Sequence, residues 1–291
     1  MYIASMMNKA LNWNRTRDLL MNIARQGPIP EHIALIMDGN RRFARTHDMP
    51  IEQGHRLGAA AMTKVLEACY TAGVKVITVY AFSIENFQRP RDQVESLMAL
   101  LREQIAIYSA PGGMAEQFDV AVRVLGRLEL LDEQTREAIT NAVEKTRKPK
   151  RGIFNICMSY TSRDEMTRAI RRSVEECPPT ATTAQLLSDK MDTADNPPVD
   201  LLIRSSGVYR LSDFLLWQCH QDTQIQIVDT LWPEFGIWDL FMVLLRWQRM
   251  ATTTRRSSSP TVYHQASSSI SIALPLLLSF LSALSYYFLT V

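Results

Sequence analysis

Cysteine is scarce in this chain. The 291 residues hold four, Cys69, Cys157, Cys177 and Cys219, with no CxxC pair among them. That spacing excludes a zinc-ribbon type of site and argues against a disulfide framework. Cys69 and Cys157 lie in apolar runs and are expected as small core residues in a reducing compartment. An excess of one charge is also missing: 32 Lys and Arg face 30 Asp and Glu. No bulk field is available to attract nucleic acid, and no nucleic-acid partner is expected. Nucleotide loops of the form GxxxxGK[ST] or GxGxxG are absent, as are DDxxD and DxDx[TV] acid clusters. The first 20 residues, MYIASMMNKALNWNRTRDLL, lack the continuous apolar stretch of a secretory signal.

What is present is a regular alternation. Short apolar runs at 33–37, 74–82, 119–125, 153–158, 199–203 and 225–229 predict strands. Most are continuous rather than alternating, as in strands buried on both faces. Amphipathic helical patterns lie between them at 57–72, 91–109, 132–146 and 163–175. The expected fold is α/β: a single domain with a mainly parallel six-stranded sheet flanked by helices. Residues 1–19 are expected as a helical extension, 20–250 as the domain and 251–269 as a Ser/Thr-rich linker. The last 22 residues, ISIALPLLLSFLSALSYYFLTV, carry no charge. That length matches a hydrocarbon core of ~30 Å, making 270–291 a candidate C-terminal transmembrane anchor. Arg255 and Arg256 on its N-terminal side favour a cytosolic body. An apolar tail without a membrane role is the alternative.

Three strand ends carry the chemistry. In such sheets ligands bind beyond the carboxyl ends of the strands. The first strand runs into Asp38, Gly39, Asn40, Arg41 and Arg42. A tight turn, a helix start and two guanidinium forks suit a phosphate or diphosphate. A carboxylate among them fits if Mg²⁺ links it to phosphate oxygens. An Asp–Arg pair capping a helix fits the same residues. The second strand ends in YAFSIENFQRP, with Ser83, Glu85, Asn86 and Arg89; taken singly, Ser83 and Glu85 read first as capping residues of a loop. The third motif, DLLIRSSGVYRLSDFLLWQ, delivers Arg204, Arg210 and Ser212 around Gly207. Three separate strand ends that each supply arginine point to one multiply anionic ligand set.

These motifs, with FNICMSYTSRDE and LWPEF, resemble the cis-prenyltransferases, the family of undecaprenyl and dehydrodolichyl diphosphate synthases. YTSRDE and RLSDFLLWQ look like the eukaryotic dolichol branch, and the whole is most similar to fungal catalytic subunits. The resemblance covers roughly residues 20–248, so 20–250 is expected to be a catalytic domain. It implies condensation of isopentenyl diphosphate onto an allylic diphosphate such as farnesyl diphosphate, forming Z double bonds. The product would be a long-chain polyprenyl diphosphate for dolichol synthesis and protein glycosylation. It implies Mg²⁺ as cofactor with Asp38 as metal and catalytic residue. Gly39, Asn40, Arg41, His55 and Arg89 match allylic-diphosphate contacts, and Arg42, Arg204, Arg210 and Ser212 match isopentenyl diphosphate contacts. Asn86 matches a residue assigned to proton removal, with Ser83, Glu85 and Phe87 as neighbours. His32, just before a buried strand, is expected to be structural.

The absence of DDxxD counts against trans-type prenyl diphosphate synthases, and that of DxDx[TV] against a phosphohydrolase built on Asp38. Two departures from the family pattern stand out. Val208 and Thr223 occupy positions where relatives carry glutamate, which leaves a second metal ligand open. The C-terminal RxG motif of homodimeric relatives is missing from LLRWQRMATTT. The resemblance therefore implies a heteromer, with a catalytically silent subunit supplying that motif at the endoplasmic reticulum membrane. An accessory role for this chain is the alternative, opposed by its retained Asp38 and arginines. Asp38→Ala is expected to abolish turnover and leave the protein folded, because a strand-end carboxylate is not core.

Overall fold

The structure is a computed structural model that describes residues 13–148, 151–176 and 183–257. Six strands form one parallel sheet: β1 His32–Ile36, β2 Val76–Tyr80, β3 Val120–Leu125, β4 Gly152–Cys157, β5 Leu201–Arg204 and β6 Gln224–Ile227. Each falls within a residue or two of an apolar run read from the sequence. The spatial order is β3-β4-β2-β1-β5-β6. The chain first builds outward from β1 through β2, then returns to the other side of β1 with β5. The sheet thus reverses direction at β1, and a crevice opens at that point beyond the strand ends.

The helices are α1 Trp13–Ala24, α2 Asn40–Thr46, α3 Ile51–Ala72, α4 Arg91–Ser109, α5 Met114–Gln117, α6 Glu133–Thr146, α7 Ser162–Glu176, α8 Ala184–Asp189 and α9 Ile237–Ser257. Three bounds differ from the sequence expectation. Helix α3 begins six residues earlier than 57, because Pro50 is its N-cap and starts the helix at Ile51. Helix α1 crosses the expected boundary at 19/20 and buries Leu20, Met21 and Ala24, so it belongs to the body rather than to an extension. By contact the chain divides after Arg249, and α9 runs on to Ser257 where a linker was expected from 251. The candidate anchor at 270–291 and Cys177 lie outside the described residues. Among those described, no helix is long and apolar enough to cross a membrane.

Burial follows the strand pattern. Every residue of β1 and β5 is buried, while edge strand β6 is only partly so. One core cluster gathers Ala34, Ile36 and Leu202 with Tyr160, Phe214 and Leu215. Cys69, Cys157 and Cys219 are free and buried, and burial raises the pKa of all three thiols.

A polar chain crosses the sheet. Asn155 Nδ2 donates to Thr78 Oγ1 at 3.0 Å, and Thr78 Oγ1 lies 2.8 Å from His32 Nε2. Having accepted from Asn155, the Thr78 hydroxyl gives its proton to Nε2, which assigns the Nδ1–H of His32 to the Pro197 carbonyl at 2.8 Å. Burial lowers the His32 pKa, against the Pro197 hydrogen bond and Asp200. His32 is therefore structural, as its place before the strand suggested. Thr78→Val leaves Asn155 Nδ2 and His32 Nε2 buried without partners and is expected to cost roughly 2–4 kcal/mol in urea unfolding. Because the folded pKa lies below the unfolded one, the contribution of neutral His32 is complete above about pH 6.5 and is lost as pH falls.

Candidate active site

Asp38 follows β1 by two residues, and its backbone is pinned from three sides. Its N–H donates to Ile36 O at 3.0 Å, while its carbonyl accepts from Trp232 N–H at 3.0 Å and Ser205 Oγ at 2.6 Å. Gly39 then turns the chain into α2 at φ 114°, a conformation that disfavours side chains. A Cβ there would also meet Trp232 N at 3.0 Å, so this turn requires glycine twice over.

Arg204 is the last residue of β5, beside Ile36 in the register. Its guanidinium is 2% exposed and donates through Nη2 to Asp38 Oδ2 at 2.8 Å. Its Nη1 donates to Ser212 Oγ at 2.8 Å and to the Arg210 carbonyl. Arg42 approaches the same Asp38 oxygen at 3.7 Å and also donates to Ser206 O at 3.1 Å and to Ser206 Oγ. Burial disfavours the Asp38 carboxylate. The Arg204 hydrogen bond and charge, Ser206 and Arg42 outweigh it and hold the pKa below the usual carboxylate value. The expectation that Asp38 is dispensable for folding is thereby revised: it is the counter-charge of a buried guanidinium, and removing one member of such a pair is costly. Asp38→Asn, which keeps an acceptor, is the cleaner variant.

Arg41 and Arg89 have the opposite setting. Among the described residues no carboxylate lies within ion-pair distance of either. Burial and the Arg41 charge depress the Arg89 pKa, only partly offset by Asp38. His55, on α3, is pushed down to about 4 by burial, Arg89 and Arg41. These side chains line a cleft of about 570 Å³ with Asp38, Asn40, Arg204, Arg210 and Ser212. Its other part is apolar, formed by Met62, Leu97, Leu100, Leu101, Ile105 and Tyr108 from α3 and α4. A cationic mouth on an apolar channel suits an amphiphile with an anionic head.

The segment after β2 is a single 3₁₀ turn, Ile84–Gln88. Ser83 Oγ accepts from Glu85 N–H at 3.2 Å, and Asn86 Oδ1 accepts from Ser83 N–H at 3.2 Å. The capping reading therefore holds for Ser83, with Asn86 as its reciprocal partner, but not for Glu85, whose carboxylate pairs with Arg163; Ser83, Glu85 and Asn86 all line the cleft. With its oxygen engaged, Asn86 has its amide N–H groups to offer a ligand. Phe87 does not line the cleft; its ring meets Phe82 edge-on at 4.9 Å, on the side facing another groove. Thr223 sits just before β6, at the amino edge of the sheet opposite Asp38, with its hydroxyl on Val199 O at 2.6 Å. It is no site residue, and Val208 brings no carboxylate. Asp38 is thus a one-third-exposed acid, and the other two carboxylates lining the cleft, Glu85 and Asp213, are paired with Arg163. Among the described residues no three His, Cys, Asp or Glu groups could hold a metal. One carboxylate with open neighbouring space fits Mg²⁺ that is ligated mainly by phosphate oxygens. Arg163, Asp213, Ser206 and Trp232 also build the site and were not singled out from the sequence. A lone Arg or Ser carries no signal until the fold brings it to the cleft.

Fold and cleft together define a parallel α/β protein whose cleft joins a cationic mouth to an apolar channel. The prenyltransferase family model, that of undecaprenyl diphosphate synthase, matches residues 36–255. A dehydrodolichyl diphosphate synthase complex subunit of Schizosaccharomyces pombe is 36% identical, over 82% of this chain and 93% of that protein. The corresponding human complex subunit is 39% identical, over 78% of this chain and 69% of that protein. The crystal structure of lavandulyl diphosphate synthase from Lavandula x intermedia, with dimethylallyl diphosphate, superposes with a TM-score of 0.69 at 26% identity, covering 75% of this chain and 95% of that one. The chain belongs to the undecaprenyl diphosphate synthase family and is a prenyl transferase.

In an NMR titration, the His55 ring is expected to stay neutral until pH approaches about 4. Added pyrophosphate, by offsetting Arg41 and Arg89, should move that transition upward.

Proposed function

We propose that this chain is the catalytic subunit of a long-chain cis-prenyltransferase that condenses isopentenyl diphosphate onto farnesyl diphosphate. The product would be a dehydrodolichyl-type polyprenyl diphosphate for dolichol synthesis and protein glycosylation. The observation that carries this reading is the pairing of Arg41 and Arg89, which lack an ion-pair carboxylate among the described residues, and neutral His55 with an apolar channel in the same cleft. That combination seats an allylic diphosphate by its head and its growing chain by the channel. Asp38, Arg42, Arg204, Arg210 and Ser212, gathered around the β5 end, suit the second diphosphate. Holding both substrates in one crevice removes much of the entropic part of the barrier.

Breaking the allylic C–O bond places negative charge on the departing diphosphate. Arg41 and Arg89, both in the cleft lining, would stabilise that charge where it develops. His55 can take up a proton as anionic charge arrives, adding to the same field. Asn86 is a donor in this arrangement and a poor base. It orients a diphosphate oxygen, and that oxygen accepts the proton lost from the isopentenyl unit. Mg²⁺, held by Asp38 and phosphate oxygens, would supply further charge neutralisation.

Retention of Asp38 and every motif arginine supports a catalytic over an accessory role. The relatives named as complex subunits, and the missing RxG, support a heteromer with a silent subunit of the same fold. Action at the endoplasmic reticulum membrane with a cytosolic body follows from the dolichol assignment and the charge-free 270–291 segment.

The test is incorporation of labelled isopentenyl diphosphate with farnesyl diphosphate and Mg²⁺, for the full chain alone and with a candidate partner. Butanol-extractable labelled product is expected in at least one condition, and its absence from both sinks the assignment. Asp38→Asn should lower kcat by at least about 100-fold, while Arg41→Met should act mainly on KM for farnesyl diphosphate.

A further inference from the structure

The cleft contains two carboxylates and one cation that the motif assignments leave without a role. Glu85, in the turn after β2, and Asp213, beyond β5, line it with Arg163 at the start of α7. Arg163 Nε donates to Asp213 Oδ2 at 2.7 Å, and its Nη2 donates to Glu85 Oε1 at 3.1 Å. Its backbone N–H reaches Asp213 Oδ1 at 3.1 Å, and the Ser162 N–H reaches Asp213 O at 2.7 Å. One guanidinium therefore joins segments that follow β2, β4 and β5.

The partners are unequal. The Asp213 side chain is 10% exposed and that of Arg163 is 71% exposed. Ser212 and Asp213 both take left-handed backbone conformations, φ 52° and 60°, uncommon for these residues. Their arrangement is held by contacts rather than by local preference. The Glu85–Arg163 pair is exposed and adds little to stability, and Asp213 keeps the Arg163 backbone N–H when the guanidinium is removed. A cleft for two diphosphates, in contrast, is impaired by two free carboxylates and by drift between its two binding segments.

We propose that Arg163 is a positioning residue: it ties the turn carrying Asn86 to the segment carrying Ser212, so that both face the same substrate pair, and it neutralises Glu85 and Asp213. This inference rests on the synthase reading above. The bridge sets the distance between the group that orients the proton-accepting diphosphate and the groups that hold the isopentenyl unit. Its loss should therefore appear in kcat more than in KM.

The experiment compares full-chain Arg163→Met, Glu85→Ala and the double variant, in whichever assembly supports turnover. Each single change is expected to lower kcat on the order of tenfold, with KM for farnesyl diphosphate within about twofold and Tm within about 3 °C. The double variant should lose no more than the worse single, the coupling expected of one shared contact. Wild-type kcat in Arg163→Met overturns the inference, as do multiplying losses in the double variant. A raised KM for Arg163→Met with a harmless Glu85→Ala also overturns it, by making Arg163 a direct phosphate contact. Each of these results is read against an active wild-type chain, so the synthase reading stands or falls separately.

Discussion

The contact between Arg204 and Asp38 organises the rest of the site. A guanidinium that is almost wholly enclosed must satisfy its charge locally, and it does so with the one acid at the end of β1. In doing so it fixes where Asp38 points, draws in Ser212 and the Arg210 carbonyl, and joins the ends of two adjacent strands. The cations around Asp38 then fall into two kinds. Arg204, which lines the cleft, and Arg42, which does not, are engaged with protein partners. Among the described residues Arg41 and Arg89 have no carboxylate within ion-pair distance; Arg41 opposes the Arg89 charge and both oppose protonation of His55, a conflict that an anionic ligand relieves.

Close backbone approach is the second constraint. Trp232 donates its backbone N–H to Asp38 O and its indole N–H to Gly58 O at 2.8 Å, bringing the LWPEF segment onto both α3 and the β1 turn. Gly58 is favoured because a Cβ there would collide with Asn40 Oδ1 and press on the Trp232 ring at 3.1 Å. The Asn40 side chain, the α3 backbone and the Trp232 ring thus share a space too small for one further carbon. A cleft floor built this tightly holds the start of α2 still, where Asn40 and Arg41 lie.

Much of this was legible beforehand, for identifiable reasons. Parallel strands buried on both faces give unbroken apolar runs, so all six were visible, as were α4, α6 and α7. Motif residues at strand ends were visible because parallel strands share one carboxyl edge. Other features were hidden. Phe87 sits among site residues in the chain, but a 3₁₀ turn rotates it onto Phe82 and away from the cleft. Thr223 was expected near a position where relatives carry glutamate, yet it stands at the opposite edge of the sheet. Arg163 opens a charged amphipathic helix, where an exposed arginine carries no signal of its own.

The sequence by itself determined the strands, their parallel arrangement and the set of arginines and acid available at the strand ends, because these depend on local pattern and on neighbours in the chain. Only the tertiary structure decided which cation meets which acid. Arg204 and Asp38 are 166 positions apart, and Glu85, Arg163 and Asp213 come from three different crossovers. Pairing of that kind is set by strand order and helix entry angles, and whether a charge is spent on the protein or kept for a ligand follows from it.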